Sequence, residues 1–258
     1  MKTKTRLNIV KFIKEKRQAR PVELVQALNI SHQAIHRHLK ILITDGILES
    51  RERPPSTYYV LAGVPDFSQA LQWFRAERIE ENPLATVCET RDILTARLSH
   101  LKAFVKRGLP IEDLPLVVST AGEIGNNSFD HNVGQWRDVP GCWFESQITG
   151  KRLWICIADR GQGVYRSLIQ VDATLQNDQD ALQTAFEKQI SGRALEKRGN
   201  GLKYVKNLIL GGGDRGLACC SGGGEVHYGD WGVDCQRVLT TGFSKANGTM
   251  TLVCWGLQ

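Results

Sequence analysis

Between residues 123 and 249, four short polar segments interrupt otherwise apolar stretches, and the fold must account for the chemistry they carry. They are Glu123-Ile-Gly-Asn-Asn127-Ser-Phe-Asp-His131, Asp159-Arg-Gly161-Gln-Gly163-Val164, Arg198-Gly199-Asn200-Gly201-Leu202 and Asn247-Gly248-Thr249. The first lies in a helical stretch from Leu116 to Asn132. At 100° per residue, Glu123, Asn127, Asp130 and His131 fall within an arc of about 100°, while Leu116, Val117, Val118, Ala121 and Ile124 are apolar. Two carboxylates, an amide and an imidazole gathered on one face point to a site rather than to a wetted surface. The second segment follows the apolar run Leu153–Ala158, which reads as a buried strand. Asp159 therefore stands at a strand end before a Gly-x-Gly turn, where a carboxylate can accept an amine proton and glycine lets backbone approach a ligand. Gly161 and Gly163 alone would also suit an ordinary turn. The third segment opens a predicted helix over Lys203–Leu210, whose N-terminal amides are suited to anions. The fourth precedes a last predicted strand, Met250–Trp255.

In this order and spacing the four segments resemble the boxes of the GHKL ATP-binding fold, from near Leu109 to the C-terminus. The resemblance implies a two-layer α/β sandwich with a mixed sheet (the Bergerat type), and ATP and Mg²⁺ as cofactors. It implies that Asn127 binds Mg²⁺, that Glu123 orients or deprotonates the attacking water, and that His131 lies near the phosphates. Asp159 would take the adenine amino group, Gly161 and Gly163 would shape the pocket, and Thr249 would sit near the base. Arg198, Gly199, Gly201 and Leu202 would meet the phosphates, with Arg193 and Lys197 as further charge partners. The polar stretch Tyr165–Lys197, with one helical piece over Asp180–Gln189, would form the lid. A Rossmann fold and a P-loop are excluded, because no Gly-x-Gly-x-x-Gly follows the first strand and no Gly-x4-Gly-Lys-Ser/Thr occurs. In Leu98-Ser-His100-Leu, the histidine is followed by leucine rather than the acidic residue usual in the phosphoacceptor motif of histidine kinases.

The first quarter of the chain has a different character. Residues 1–65 hold 12 Lys+Arg against 5 Asp+Glu, and the remainder 21 against 22. The whole basic excess is therefore N-terminal, where an anionic partner is expected. Leu7, Ile9, Val10, Phe12 and Ile13 predict an amphipathic helix over residues 5–16, and Pro21 opens a second through Leu28. Ser31 is placed to cap a third. On that helix His32, Gln33, His36, Arg37 and Lys40 cover an arc of about 140°, with Ile35, Leu39 and Leu42 opposite. His38 lies about 200° from His36, so the three histidines do not share a face for a metal. Two short strands, Ile47–Ser50 and Thr57–Leu61, flank a loop with Arg51 and Arg53. His38-Leu-Lys-Ile-Leu42, Asp45-Gly46 and Tyr58-Tyr-Val-Leu61 resemble the pattern of ArsR/MarR-type winged-helix regulators. The resemblance implies that His32, Gln33, His36, Arg37 and Lys40 face the major groove, and that Arg51 and Arg53 meet phosphate or the minor groove.

The expected organisation is a winged helix-turn-helix over residues 1–61, a helical connector over 62–84 and the ATP-binding domain over 85–258. Phe67, Ala70, Leu71, Trp73 and Phe74 mark the connector helix as core or dimer seam, and winged helices act in pairs on pseudo-palindromic DNA, so a homodimer is expected. The longest apolar run, Leu153–Ala158, is far short of the roughly 20 residues that span a bilayer. The N-terminus lacks a secretory pattern, and a cytoplasmic location with no membrane partner is expected. Seven scattered cysteines without Cys-x-x-Cys spacing read as buried free thiols. The function expected is a DNA-binding transcriptional regulator controlled by Mg-ATP. The alternative is a protein serine kinase resembling anti-sigma-factor kinases and acting on a co-encoded protein; a slow ATPase also fits the resemblance.

Overall fold

In the computed structural model, residues 2–45, 47–53, 56–105, 108–188, 201–239 and 246–258 are described. The chain divides into two compact units, Met1–Val64 and Pro65–Gln258. The first contains α1 (Lys2–Lys16), β1 (Gln18–Ala19), α2 (Pro21–Leu28), α3 (His32–Thr44), β2 (Leu48–Arg53) and β3 (Ser56–Leu61). Local chemistry sets the helix boundaries. The Arg20 amide donates to Glu23 Oε2 at 2.7 Å ahead of Pro21, and Asn29 ends α2 in the left-handed region at φ 50°. Ser31 Oγ accepts the Ala34 N–H at 3.3 Å and starts α3. Ile9, Ile13, Ala19, Leu24, Ile35, Leu39, Leu42 and Leu48 fill the core, all at 2% exposure or less. The strands form an antiparallel sheet in the order β1-β3-β2. The short β1, too brief for period-two patterning, was not legible in the sequence.

The second unit runs α4 (Ser68–Arg75), β4 (Val87–Cys88), α5 (Arg91–Val105), α6 (Asp113–Asp130), β5 (Cys142–Thr149), β6 (Arg152–Asp159), α7 (Gly163–Leu168), α8 (Asp178–Glu187), α9 (Gly201–Leu210), β7 (Arg215–Gly222), β8 (Gly224–Gly229), α10 (Gly232–Leu239) and β9 (Ala246–Gly256). Its sheet has the order β4-β5-β6-β9-β7-β8. Every neighbouring pair among the described residues is antiparallel, which corrects the expected mixed sheet. Tight turns explain part of this: β5 joins β6 through Gly150 and Lys151, both at positive φ, and β7 joins β8 through Gly223.

Alternation along the strands gives the sheet two buried faces. Phe144, Leu153, Ile155, Ile157, Leu217, Cys219, Val253 and Trp255 pack with Leu94 and Leu101 of α5, Val117, Ala121 and Ile124 of α6, Leu182 and Phe186 of α8, and Val205 and Ile209 of α9. The opposite side chains, Trp143, Trp154, Cys156, Cys220 and Cys254, are buried too. There the ring of Trp73 from α4 lies 5.7 Å from that of Trp143, and Cys235 of α10 is fully buried as well. Helices thus cover both faces, and the expected two-layer sandwich gains a third layer. The apolar stripe of α4 is core of this unit rather than a separate connector. All seven cysteines are buried free thiols.

The expected lid is also corrected over its first part. Ala181, Leu182 and Phe186 of α8 are fully buried, and α7 packs through Leu168 against Leu175 and Ala181. The charged residues of α8 mask an apolar stripe that belongs to the core. The remaining lid residues, 189–197, lie outside the described residues.

Candidate functional site

Helix α6 brings chemistry to one end of the sheet because its apolar positions anchor it. With Val117, Ala121 and Ile124 held on the strands, Glu123 is left exposed and Asn127 half-buried. The start of α9 comes directly against them. A Cβ built on Gly201 would lie 2.6 Å from Glu123 Oε2 and 4.0 Å from Asn127 Nδ2. Only glycine fits there without moving that carboxylate, so the first and third segments meet. Of the four polar residues on the predicted arc, Asp130 is used structurally, in an ion pair with Arg91 of α5. His131 Nδ1 lies 3.1 Å from Ser167 Oγ, and its carbonyl accepts from Gln162 Nε2 at 2.6 Å. It therefore stands between α6 and α7.

The second and fourth segments meet across the sheet. Asp159 is the register partner of Thr249, and Thr249 in turn faces Ser221. Ser221 Oγ lies 3.3 Å from Thr249 Oγ1, donates to Gly248 O at 2.9 Å and accepts the Val164 N–H at 2.9 Å. Gly163 adopts φ +81°, which favours glycine, and the position of its missing Cβ faces Ser221 Oγ at 3.1 Å. Asp159 is buried at 5% exposure. Gly161 N–H donates to Oδ1 at 2.9 Å, Asn132 Nδ2 to Oδ1 at 3.1 Å, and Ser128 Oγ to Oδ2 at 3.3 Å. Burial pushes its carboxyl up to about 6, against the lowering effect of hydrogen bonds from Gly161, Ser128, Thr249 and Asn132.

Asn132 was absent from the expected site, yet it ties the first segment to the second. Its Nδ2 also donates to Ser128 O at 2.9 Å, and its Oδ1 accepts the Gln162 N–H at 3.1 Å. A Cβ on Gly161 would lie 2.0 Å from this amide, so glycine is needed there for packing within the protein. A polar residue closing the expected helical stretch was its only sequence signal. Ser221 had none, because strand β7 is recognised by its partners rather than by its own pattern. Gly201 and Leu202 are half-buried at the start of α9. Arg193, Lys197, Arg198 and Gly199 lie outside the described residues.

In the N-terminal unit, α3 presents His32, Gln33, His36, Arg37 and Lys40 to solvent together, while Ile35, Leu39, Leu42 and His38 are buried. This gives an outward face of cationic and hydrogen-bonding side chains on a helix anchored by its other side. Arg51, expected at the DNA, is instead turned to its own unit. It pairs with Glu49, with Nε donating to Oε1 at 3.1 Å, and also donates to Val64 O. The two-residue spacing on β2 puts Glu49 and Arg51 on one face of the strand, a relation masked by the loop that was expected to begin there. Arg53 closes β2, and its side chain lies outside the described residues.

Residues 3–50 match the family described as bacterial regulatory protein, arsR family. The N-terminal unit is thus a helix-turn-helix of that type. No curated protein sequence matches the chain. Among the described residues, no helix is long and apolar enough to cross a membrane.

Proposed function

We propose that this chain is a transcriptional regulator whose affinity for double-stranded DNA is set by Mg-ATP bound between α6, the 159–163 loop and the start of α9. The single observation that carries the ATP half is the meeting of the segments: Gly201 against Glu123 and Asn127, and Asp159 opposite Thr249 beneath Ser128 and Asn132. The donor set fits the group. Asn127 offers a carbonyl oxygen, a ligand suited to Mg²⁺, which keeps waters and phosphate oxygens as its others. Glu123 is exposed and within reach of a water at the same place. The amides that open α9 favour anions through their unpaired N–H groups and the helix dipole. Asp159, buried and anchored, offers an acceptor to the amino group of a base. When bound, Mg-ATP supplies a triphosphate and a divalent cation.

Asn127→Ala is expected to lower Mg-ATP affinity by at least about 100-fold, above the range seen for residues that only support a ligand. Calorimetry checks this, and unchanged affinity removes the Mg²⁺ role. DNA binding, measured at fixed salt with and without Mg-ATP, should respond to the nucleotide in the parent and lose that response in Asn127→Ala. Transfer of labelled phosphate to a second protein, with DNA affinity unmoved, would favour the kinase reading instead.

The DNA half rests on α3. Arg37→Ala should weaken DNA binding by roughly 5- to 30-fold and reduce the slope of log K against log salt by about 0.9 for a lost phosphate contact. A mutant with the parent's affinity and slope would remove the assigned recognition face.

A further inference from the structure

Strand β6 ends at Asp159, and the next residue, Arg160, has attachments of its own. Asp159 meets α6 and the glycine loop, while Arg160 is fully buried elsewhere. The Arg160 guanidinium forms a fork on Asp138, with Nε donating to Oδ1 at 2.8 Å and Nη2 to Oδ2. Its Nη1 donates to the carbonyl of Trp73 and, at 3.3 Å, to that of Phe74. These are carbonyls in the last turn of α4, which has no partners for them within the helix. Arg137 closes the same grip. Its N–H donates to Arg160 O at 2.8 Å, and its Nη2 donates to Ala76 O at 2.9 Å and Phe74 O at 3.3 Å. Asp138 also accepts the Ile79 N–H at 2.8 Å. Residues 73–79 are therefore held by three side chains, Arg160 itself and the Arg137 and Asp138 bonded to it. The other end of α4 begins four residues after Val64, where the DNA-binding unit ends.

We infer that Arg160 is a positioning residue that couples occupancy of the Asp159 site to helix α4 and, through the chain at Val64–Pro65, to the DNA-binding unit. The inference rests on the proposed nucleotide control. A shift of the β6 end on engaging a ligand cannot be absorbed at Arg160, because separating its guanidinium from Asp138 and the α4 carbonyls would leave a charge buried and unpaired. The shift is passed to α4 instead. Asp159 itself needs no part of the grip, so nucleotide binding and coupling are separable.

The test uses the full chain. Mg-ATP affinity and DNA affinity with and without Mg-ATP are measured for the parent, Arg160→Lys, Asp138→Asn and Arg137→Gln. The variants are expected to bind Mg-ATP within about threefold of the parent, while the nucleotide-dependent change in DNA affinity falls below about a third of the parent's. Folded variants that keep the parent's full response overturn the relay and leave the nucleotide reading intact. A parent that binds no ATP, or whose DNA affinity ignores it, removes both. Hydrogen exchange in the unmutated protein gives an independent readout if a variant fails to fold. Protection of the Ala76 and Ile79 amides should change severalfold on adding Mg-ATP, and unchanged protection also overturns the relay.

Discussion

Asp159→Asn is expected to weaken adenine-nucleotide binding by roughly 10- to 100-fold, the loss of a hydrogen bond to a charged acceptor, while leaving the protein at least as stable as the parent at neutral pH. Both effects come from burial. The carboxyl is raised from 3.8 to about 6 in the folded protein, chiefly by desolvation. At pH 7.5 the native state therefore holds a charge it would rather lose, a penalty on the order of 3 kcal/mol. Between about pH 4 and 6 the folded state binds the proton and the unfolded state does not. The parent's stability therefore gains from this group as pH falls through 6, and that gain is complete below 4. Asparagine keeps an oxygen for Gly161 and Asn132, and its amide can donate to Ser128 Oγ. Paired denaturation curves should show the mutant's advantage greatest at pH 7.5 and shrinking toward pH 4. An advantage that stays constant with pH, or a mutant destabilised by 2 kcal/mol or more at pH 7.5, would show that the buried carboxylate is not strained; the binding loss is read separately by titration with ATP and GTP, where equal affinities in the parent would count against an adenine pocket.

The second large effect is expected at the other side of the same peptide. Arg160→Ala should cost about 3–5 kcal/mol, because it removes a fully buried cation, leaves the largely enclosed Asp138 carboxylate without its partner and strips donors from the carbonyls of α4. For a unit of this size that corresponds to a fall in melting temperature of roughly 10 °C. Burial alone would push the Asp138 carboxyl up, but hydrogen bonds from Arg160, Ile79 and Val139 outweigh it and hold the group at about 2. Stability from this ion pair is thus present above the unfolded value of 3.8 and is lost as pH falls toward 2. The difference between parent and Arg160→Ala should narrow over that range in thermal melts. A substitution costing under 1 kcal/mol at neutral pH would mean that water or a neighbouring cation replaces the arginine.

Some of this was open to the sequence and some was not, and the division follows the range of each interaction. Helix α3 was legible because its cap, its apolar stripe and its exposed face are set by residues at most four positions apart. The same locality exposed the polar face of α6 and placed Asp159 at a strand end. The partners of Arg51, Glu49 and Val64, were not legible because they are defined by strand direction and by chain return. The lid was misplaced because charge counts along α8 said nothing of Phe186 beneath it.

The sequence by itself determined the N-terminal helix-turn-helix, the residues that start α2 and α3 and the residue types gathered in four polar segments, since all of these depend on short-range periodicity and capping. Only the tertiary structure decided that the sheet is antiparallel with both faces covered, that Asn132 joins Asp159 to the glycine loop, and that Arg160 is buried against α4. Strand pairing and ion pairs join residues roughly a hundred positions apart, as in Arg152 with Gly256 and Asp113 with Arg215, and their energies are set by exclusion of water, which no local pattern records.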